Sequence, residues 1–388
     1  MSSAKSYTVI LKEEAAASTQ AHLSWVGSQT STAAARGSGA AVAPLEVKYK
    51  YESLKAYSAV LEPDVLATLK ENGDVYQIVE NTKVTHCADP PVNILTQNDA
   101  PWGLQRVSQE DPLPAGADVT ALNYEYRRAP PALNSIPVDV YVLDTGVMTN
   151  HQEFGNRATW GWTYPGGGNA DGHGHGTHVA GTIAGNRFGV AKDANIIAVK
   201  VLDDEGSSTS DSVNLGIDWV IQRVTRQREN GIERASIINM SLGGPPNAAL
   251  DHFANLAVSR GIHVCVAAGN DYGQDARNYS PARAQRVITV GATTITDELA
   301  DFSNVGPKID ILAPGQDIIS AGIASPTAQE TMSGTSMATP HVAGMIAWLI
   351  SVQGDNAPAA LLTQLQNRAI SLPNIPAGTT NLLLNNGQ

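Results

Sequence analysis

From residue 139 onward, short uninterrupted apolar runs alternate with helical stretches, and no other feature of the chain constrains its fold as strongly. The runs are VYVLD (140–144), IIAVKVLD (196–203), SIINMSL (236–242), HVCVAAGN (263–270) and VITVGA (287–292), bounded by Gly, Asn or Asp. Helical stretches such as 210–229 and 247–260 lie between them. A strand that is apolar along its whole length has both faces buried, and strands separated by helices pair in parallel. The expected fold is therefore α/β, a parallel sheet flanked by helices. In such a sheet ligands sit at the carboxyl ends of the strands.

Residues 6–86 read differently. Strand patterns at 6–11, 47–52, 56–61 and 75–86 alternate with helical patterns from 13 to about 27 and from 62 to 71, the second stopped by Asn72 and Gly73. The order βαββαβ is that of a small α+β, ferredoxin-like domain. Between them, residues 28–44 form a Ser/Thr/Ala/Gly tract without periodicity, expected to be a mobile loop and a site of nicking. A second break in composition, at 86–99 around Pro90 and Pro91, places a boundary near 92. The expected domains are 1–92 and 93–388.

Charge and cysteine usage exclude several classes. Lys and Arg number 25 against 37 Asp and Glu, a net charge of −12, and no basic cluster offsets it. Nucleic acid and anionic membrane are therefore not expected as partners. The two cysteines, Cys87 and Cys265, make neither a disulfide framework nor a Cys-based zinc site. No run approaches the ~18 apolar residues of a membrane span. The opening MSSAKSYTVILKEE lacks the apolar core of a secretory signal, so an intracellular or vacuolar protein is expected, or a secreted one if Met1 is not its natural start.

Three segments carry chemistry: Asp144-Thr145-Gly146 at the end of an apolar run, His175-Gly176-Thr177-His178-Val179-Ala180-Gly181-Thr182, and Gly334-Thr335-Ser336-Met337-Ala338. A serine hydroxyl is a weak nucleophile at neutral pH. It needs an imidazole to take its proton, and the imidazole needs a carboxylate to fix its tautomer. All three groups are present in the order Asp, His, Ser. Gly176, Gly181 and Gly334 allow close backbone approach at strand-helix junctions, and Ser336 opens the helical pattern MATPHVAGMIAWLI, where the helix dipole favours developing negative charge. Singly, a D-T-G is usually a turn and a serine at a helix start usually a cap. Together, each at the end of an element, they point to acyl transfer.

These residues lie in longer runs that resemble the subtilisin-type (subtilase) serine peptidases, in particular the proteinase K-like group found largely in fungi. The runs include NDAPWGLQRVS, YVLDTGV, DGHGHGTHVAGT, VKVLDDEG, NMSLGG, VAAGN, ARNYSPA, FSNVG, LAPG and SGTSMATPHVAG, and they cover almost all of 98–388. Residues 6–86 resemble the inhibitory propeptide of the same enzymes, with YTVILK at the start and His22 and Trp25 on the first helix. The resemblance implies a self-processing zymogen, acting as a monomer on peptide or protein substrates and inhibited by its own propeptide. It makes Asp144, His175 and Ser336 the triad and Asn270 the oxyanion donor. Ser241, Leu242 and Gly243, with the stretch Asp204, Glu205, Gly206 and Ser207, become edges that pair with substrate backbone. Ala267, Ala268 and Gly269 become walls of the first specificity pocket. These segments hold no acidic residue in pocket-facing positions, so the preference expected is for large apolar or aromatic side chains, while Asp204 and Glu205 could favour basic ones in the adjoining subsite. No cofactor is implied for the chemistry. A structural calcium is, on Asp310 with the carbonyls of Pro281 and Arg283.

Two other readings follow from the residues. HGHGTH, through His173, resembles the HxHxDH cluster of binuclear metallohydrolases, with Thr177 standing where Asp is needed. A noncatalytic, inhibitor-like relative is the other, against which the complete set Asp144, His175, Ser336 and Asn270 argues. The sequons at Asn239 and Asn278 fall inside the matching motifs and are not expected to carry glycans.

Overall fold

The computed structural model describes residues 5–15, 18–34, 46–51, 54–81 and 94–388. The chain divides into two compact units, Met1–Pro90 and Pro91–Gln388.

The first unit runs β1 (Lys5–Leu11), α1 (Thr19–Ala34), β2 (Glu46–Tyr51), β3 (Ala56–Leu61), α2 (Pro63–Lys70) and β4 (Val75–Glu80). Its antiparallel sheet has the order β2-β3-β1-β4. The core joins Val9 and Leu11 of β1, Tyr57, Ala59 and Leu61 of β3, Leu23 and Val26 of α1, and Val65 and Leu69 of α2. Alternate residues of each strand supply it, as a two-residue strand period requires. The first helix differs from its sequence reading at both ends. It starts at Thr19, where the Ser18 hydroxyl accepts the Ala21 N–H at 3.2 Å and caps it. It also runs past residue 27 to Ala34, since no proline or glycine follows Gly27 until Gly37. Most of the expected loop, the segment around 86–93 and Cys87 lie outside the described residues.

The second unit opens with β5 (Leu95–Ala100), α3 (Trp102–Arg106) and β6 (Tyr124–Arg128). Then come β7 (Val138–Asp144), β8 (Ala158–Thr163), α4 (His175–Ala184), β9 (Asn195–Lys200), α5 (Ser210–Glu229), β10 (Ala235–Met240), α6 (Ala248–Ser259), β11 (His263–Ala267), β12 (Ile288–Thr293) and β13 (Ile311–Pro314). A hairpin, β14 (Ile318–Ala321) and β15 (Gln329–Met332), leads into α7 (Thr335–Gln353), followed by α8 (Pro358–Arg368), β16 (Ile370–Ser371) and β17 (Leu382–Leu383). The nine-stranded sheet has the order β16-β17-β13-β12-β11-β10-β7-β9-β8, parallel except at the β16–β17 edge.

Strand residues alternate between two cores. Val140, Val142, Ile196, Ala198 and Ile237 face α4 and α7, whereas Tyr141, Leu143, Ile197, Val199 and Ile238 face α5 and α6. This double burial explains why the strands read as continuous apolar runs. Helix α7 is buried nearly all round, which fits its apolar sequence. Strand β7 has β9 on one side and β10 on the other, so the chain leaves it first one way and then the other. The crevice at the carboxyl ends of these strands is where the unusual residues collect.

Candidate active site

Asp144 ends β7 and is wholly buried, and His175 is the first residue of α4. His175 Nδ1 lies 2.7 Å from Asp144 Oδ1, which also accepts the Thr145 N–H at 2.7 Å. The approach depends on glycine: a Cβ on Gly176 would stand 2.1 Å from the Gly146 carbonyl oxygen, so no side chain fits. Gly174, just before the helix, sits at φ +99°.

A second carboxylate, Asp171, which opens the run DGHGHGTHVAGT but was given no role in the sequence reading, organises this junction. Asp171 Oδ1 accepts the Gly174 N–H at 2.8 Å and the Thr145 hydroxyl at 2.9 Å, and its Oδ2 accepts the Thr177 N–H and hydroxyl at 2.9 and 2.5 Å. The Thr145 hydroxyl in turn accepts the Gly176 N–H at 3.0 Å, which ties strand end to helix start. Burial works against a charged His175, but the Asp144 carboxylate and then that of Asp171 more than offset it, so the imidazole pKa is raised above its ordinary value.

Ser336 is the second residue of α7 and borders the same cleft as His175, a space of about 670 Å³ that His173, Glu205, Leu242 and Gly243 also line. Its hydroxyl donates to the Ser241 carbonyl at 3.0 Å, and among the described residues no hydrogen bond joins it to His175. Swinging Oγ from that carbonyl toward the imidazole is a rotation about one side-chain bond, the kind of adjustment expected when substrate arrives.

Asn270 follows β11. Its Oδ1 accepts both the N–H and the hydroxyl of Thr335 at 2.8 Å, which identifies the oxygen, and among the described residues no hydrogen bond engages the Nδ2 amide group. The loop that carries it is braced by Asn304, wholly buried and without a role in the sequence reading. The Asn304 backbone N–H donates to the Gly269 carbonyl at 3.0 Å, its Nδ2 to the Ala268 carbonyl at 2.9 Å, and its Oδ1 accepts the Asp271 N–H at 2.9 Å. Gly269, at φ +103°, has no room for a Cβ, which would stand 2.3 Å from Asn304 Nδ2.

A second pocket, beside Ser336 and Asn270, has Leu242, Gly243, Ala267 and Gly269 in its lining. Ala268 points away, into a cluster with Ala276, Ala282, Ile309 and Leu312. Asp271 and Tyr279 border this pocket too, so it carries a carboxylate that the sequence reading did not anticipate. Glu205, Gly206 and Ser207 line the larger cleft, but Asp204 does not. Its Oδ1 accepts from the buried Lys200 ammonium at 2.7 Å, which lowers the Asp204 pKa, and from the Gly172 N–H at 3.3 Å.

The expected calcium set does not make a cation cage. Asp310 Oδ2 already accepts from the Lys308 ammonium at 3.0 Å and the Thr289 N–H at 2.8 Å, and the Pro281 carbonyl accepts the Ala284 N–H at 2.9 Å. The Arg283 side chain is bound to Asp251 at 2.6 Å. A single carboxylate next to an ammonium offers a divalent ion too little charge. Nor does HGHGTH converge: His178 Nε2 lies 2.9 Å from the Ile318 carbonyl in the core, and burial pushes its pKa down to about 3. Among the described residues no group of three or more His, Cys, Asp or Glu could hold a metal ion.

Comparison with known proteins shows the family of both units. The profile of the subtilase family, Peptidase S8, matches residues 137–386, and that of the peptidase inhibitor I9 family matches residues 6–86. A subtilisin-like protease of Coccidioides posadasii is 41% identical over 98% of this chain and 80% of its own length. Alkaline protease 2 of Aspergillus fumigatus is 41% identical over 86% of this chain and 69% of its own. Among solved structures, a cold adapted subtilisin-like serine proteinase superposes with a TM-score of 0.64 at 40% identity, covering 74% of this chain and 98% of that one.

Proposed function

Because this chain belongs to the subtilase family and is a serine endopeptidase preceded by an I9 inhibitor domain, we propose that Asp144, His175 and Ser336 are its catalytic triad and Asn270 its oxyanion donor. Ser336 Oγ attacks the scissile carbonyl carbon while His175 Nε2 takes its proton. Asp144 holds the Nδ1–H and stabilises the imidazolium that forms. The amide of Asn270 and the Ser336 N–H meet the negative charge on the carbonyl oxygen. The imidazolium then protonates the leaving amine, and water, deprotonated by the same imidazole, releases the acyl group. The observation that carries this reading is the 2.7 Å contact between His175 and Asp144 at the edge of a cleft that Ser336 also borders.

Residues 1–92 are the inhibitory propeptide and 93–388 the peptidase. Leu242, Gly243, Ala267 and Gly269 favour large apolar or aromatic side chains on the acyl side of the scissile bond, since their small apolar surfaces leave an open, neutral wall. Titration with a serine-reactive phosphonate tests the assignment. One equivalent should label Ser336, activity should vanish in parallel, and Ser336→Ala should take up none. Labelling at another serine would overturn it.

A further inference from the structure

Asn270 is exposed, so its amide is placed by the Thr335 bonds to its Oδ1 and by the backbone beneath it rather than by packing. One buried side chain holds that backbone on both sides. Asn304 Nδ2 donates to the Ala268 carbonyl, two residues before Asn270, and Asn304 Oδ1 accepts the Asp271 N–H, one residue after it, each at 2.9 Å. The Asn304 backbone N–H donates to the Gly269 carbonyl at 3.0 Å. Three backbone groups around Asn270 therefore end on a single residue, which is wholly buried and uses both ends of its amide. Gly269 shows how close the fit is: it lies at φ +103°, and Asn304 Nδ2 stands 2.3 Å from where a Cβ would be. Asn304 has an anchor of its own. Its carbonyl accepts the Ser303 hydroxyl at 3.0 Å, and the Ser303 oxygen accepts the Ala292 N–H of β12 at 3.1 Å. The backbone at Asn270 is thus tied to the sheet through β12 as well as through β11, which it follows.

We propose that Asn304 is a positioning residue for the oxyanion donor: by clamping the backbone on either side of Asn270 it keeps the Nδ2 amide where negative charge develops on the scissile carbonyl. The proposal rests on the reading of Asn270 as that donor. Such a donor acts at about 2.7–3.1 Å from the oxygen that becomes charged, and a displacement of ~1 Å costs up to on the order of 10² in rate. The charge arises only past the bound ground state, so a misplaced amide lowers kcat and leaves KM nearly alone. A residue that merely braced the fold would lose activity whether or not Asn270 carried an amide.

The test makes Asn304→Ala, which removes both side-chain bonds, and Asn304→Asp, which keeps the shape and the acceptor for the Asp271 N–H, each alone and combined with Asn270→Leu. Rates are expressed per Ser336 labelled by a serine-reactive phosphonate, so that an unfolded fraction does not count. Asn304→Ala should lower kcat roughly ten- to hundredfold with KM within about twofold, and Asn304→Asp should lower it less. In the Asn270→Leu background either substitution should change kcat by less than about twofold, because no amide remains to be placed. A peptide aldehyde, whose tetrahedral adduct with Ser336 presents an oxygen to the amide, should bind Asn304→Ala more weakly by a similar factor. The matching alcohol, which forms no adduct, should bind as it does to wild type. Unchanged kcat in the folded variants, a loss carried by KM, or losses that multiply in the double variants would each overturn the positioning role. If Asn304→Ala yields no folded protein, Asn304→Asp carries the same comparisons. Undiminished kcat in Asn270→Leu overturns the donor reading and this proposal with it, whereas the expected Asn270→Leu loss with multiplying Asn304 effects overturns this one alone.

Discussion

Ser241 and Ser336 exchange hydrogen bonds: the Ser336 hydroxyl donates to the Ser241 carbonyl at 3.0 Å, and the Ser241 hydroxyl donates to the Ser336 carbonyl at 2.7 Å. The second bond answers a gap in α7. Pro340, four residues on, has no N–H to give that carbonyl. Neighbouring carbonyls of the opened turn are also met by side chains, Thr335 by the Thr339 hydroxyl at 2.8 Å and Met337 by His341 Nδ1 at 2.9 Å.

Ser241→Ala should therefore lower kcat by roughly three- to tenfold, the scale of one lost hydrogen bond, with little change in KM, because the backbone at 241 is retained. Adding Pro340→Ala gives the helix an N–H at the required place and should recover most of the loss. A loss carried by KM, or a double variant no better than the single one, would count against this role for Ser241.

Asn270→Leu should cut kcat by roughly 10² to 10³ and leave KM nearly unchanged, since the amide acts on charge that exists only past the ground state. The size of that effect is borrowed from the oxyanion asparagine of a subtilisin, a member of the same family. Steady-state kinetics on one peptide suffice, and an equal rise in KM at constant kcat would refute the assignment.

His175 must be neutral to take a proton, and its pKa is raised, so the ascending limb of kcat/KM against pH should lie above the ordinary histidine value near 6.5. Asp171→Asn keeps most of the bracket's shape but removes a negative charge, and should move that limb to lower pH. A limb that stays put would mean that Asp171 acts through geometry alone.

In the first unit, His22 is buried with its Nδ1 3.3 Å from the Tyr57 hydroxyl. Burial lowers its pKa, with Asp74 and Asn72 opposing more weakly. A histidine depressed on folding binds its proton more readily when unfolded, so its contribution is fully present above about pH 6.5 and is lost as pH falls below that value toward the folded pKa. Hydrogen exchange of β1 and β3 amides in the uncut Ser336→Ala chain, corrected for intrinsic rates, should show faster opening at pH 5 than at pH 7.5. His22→Gln should flatten that difference, and an unaltered pH response in the variant would assign it to other groups.

Wild-type chain should cut itself once between about His86 and Asn98, because a tethered linker reaches the cleft at a concentration no free peptide matches. The Ser336→Ala chain should stay at 40.7 kDa. Intact-mass spectrometry over time distinguishes them: a purified Ser336→Ala chain that matures alone would end the idea of self-processing.

The parallel sheet was legible in the sequence because β7, β9, β10, β11 and β12 are buried on both faces and leave unbroken apolar runs. The motif residues Asp144, His175, Ser336 and Asn270 could be singled out because glycines crowd around them where backbone must pass close to backbone. Asp171, Asn304 and the pairing of Ser241 with the carbonyl that Pro340 leaves open lie in the matching runs, but their roles were not legible there. In each case the fold brings distant partners together, and no local period records that. The calcium expectation finds no support, and its obstacle was visible: Lys308 stands two residues before Asp310 and its ammonium lies 3.0 Å from the carboxylate.

The placement of Ser336 at the head of α7, the last long helix before the short carboxyl-terminal elements, sets a schedule for the chain during synthesis. Asp144, His175 and Asn270 emerge well before it, so on the proposed assignment a nascent or truncated peptidase possesses the base and the amide donor but no nucleophile. It also lacks the helix that fills one side of the sheet. On the proposed triad, the nucleophile and the helix that completes this core therefore arrive together, and a chain ending before α7 has neither.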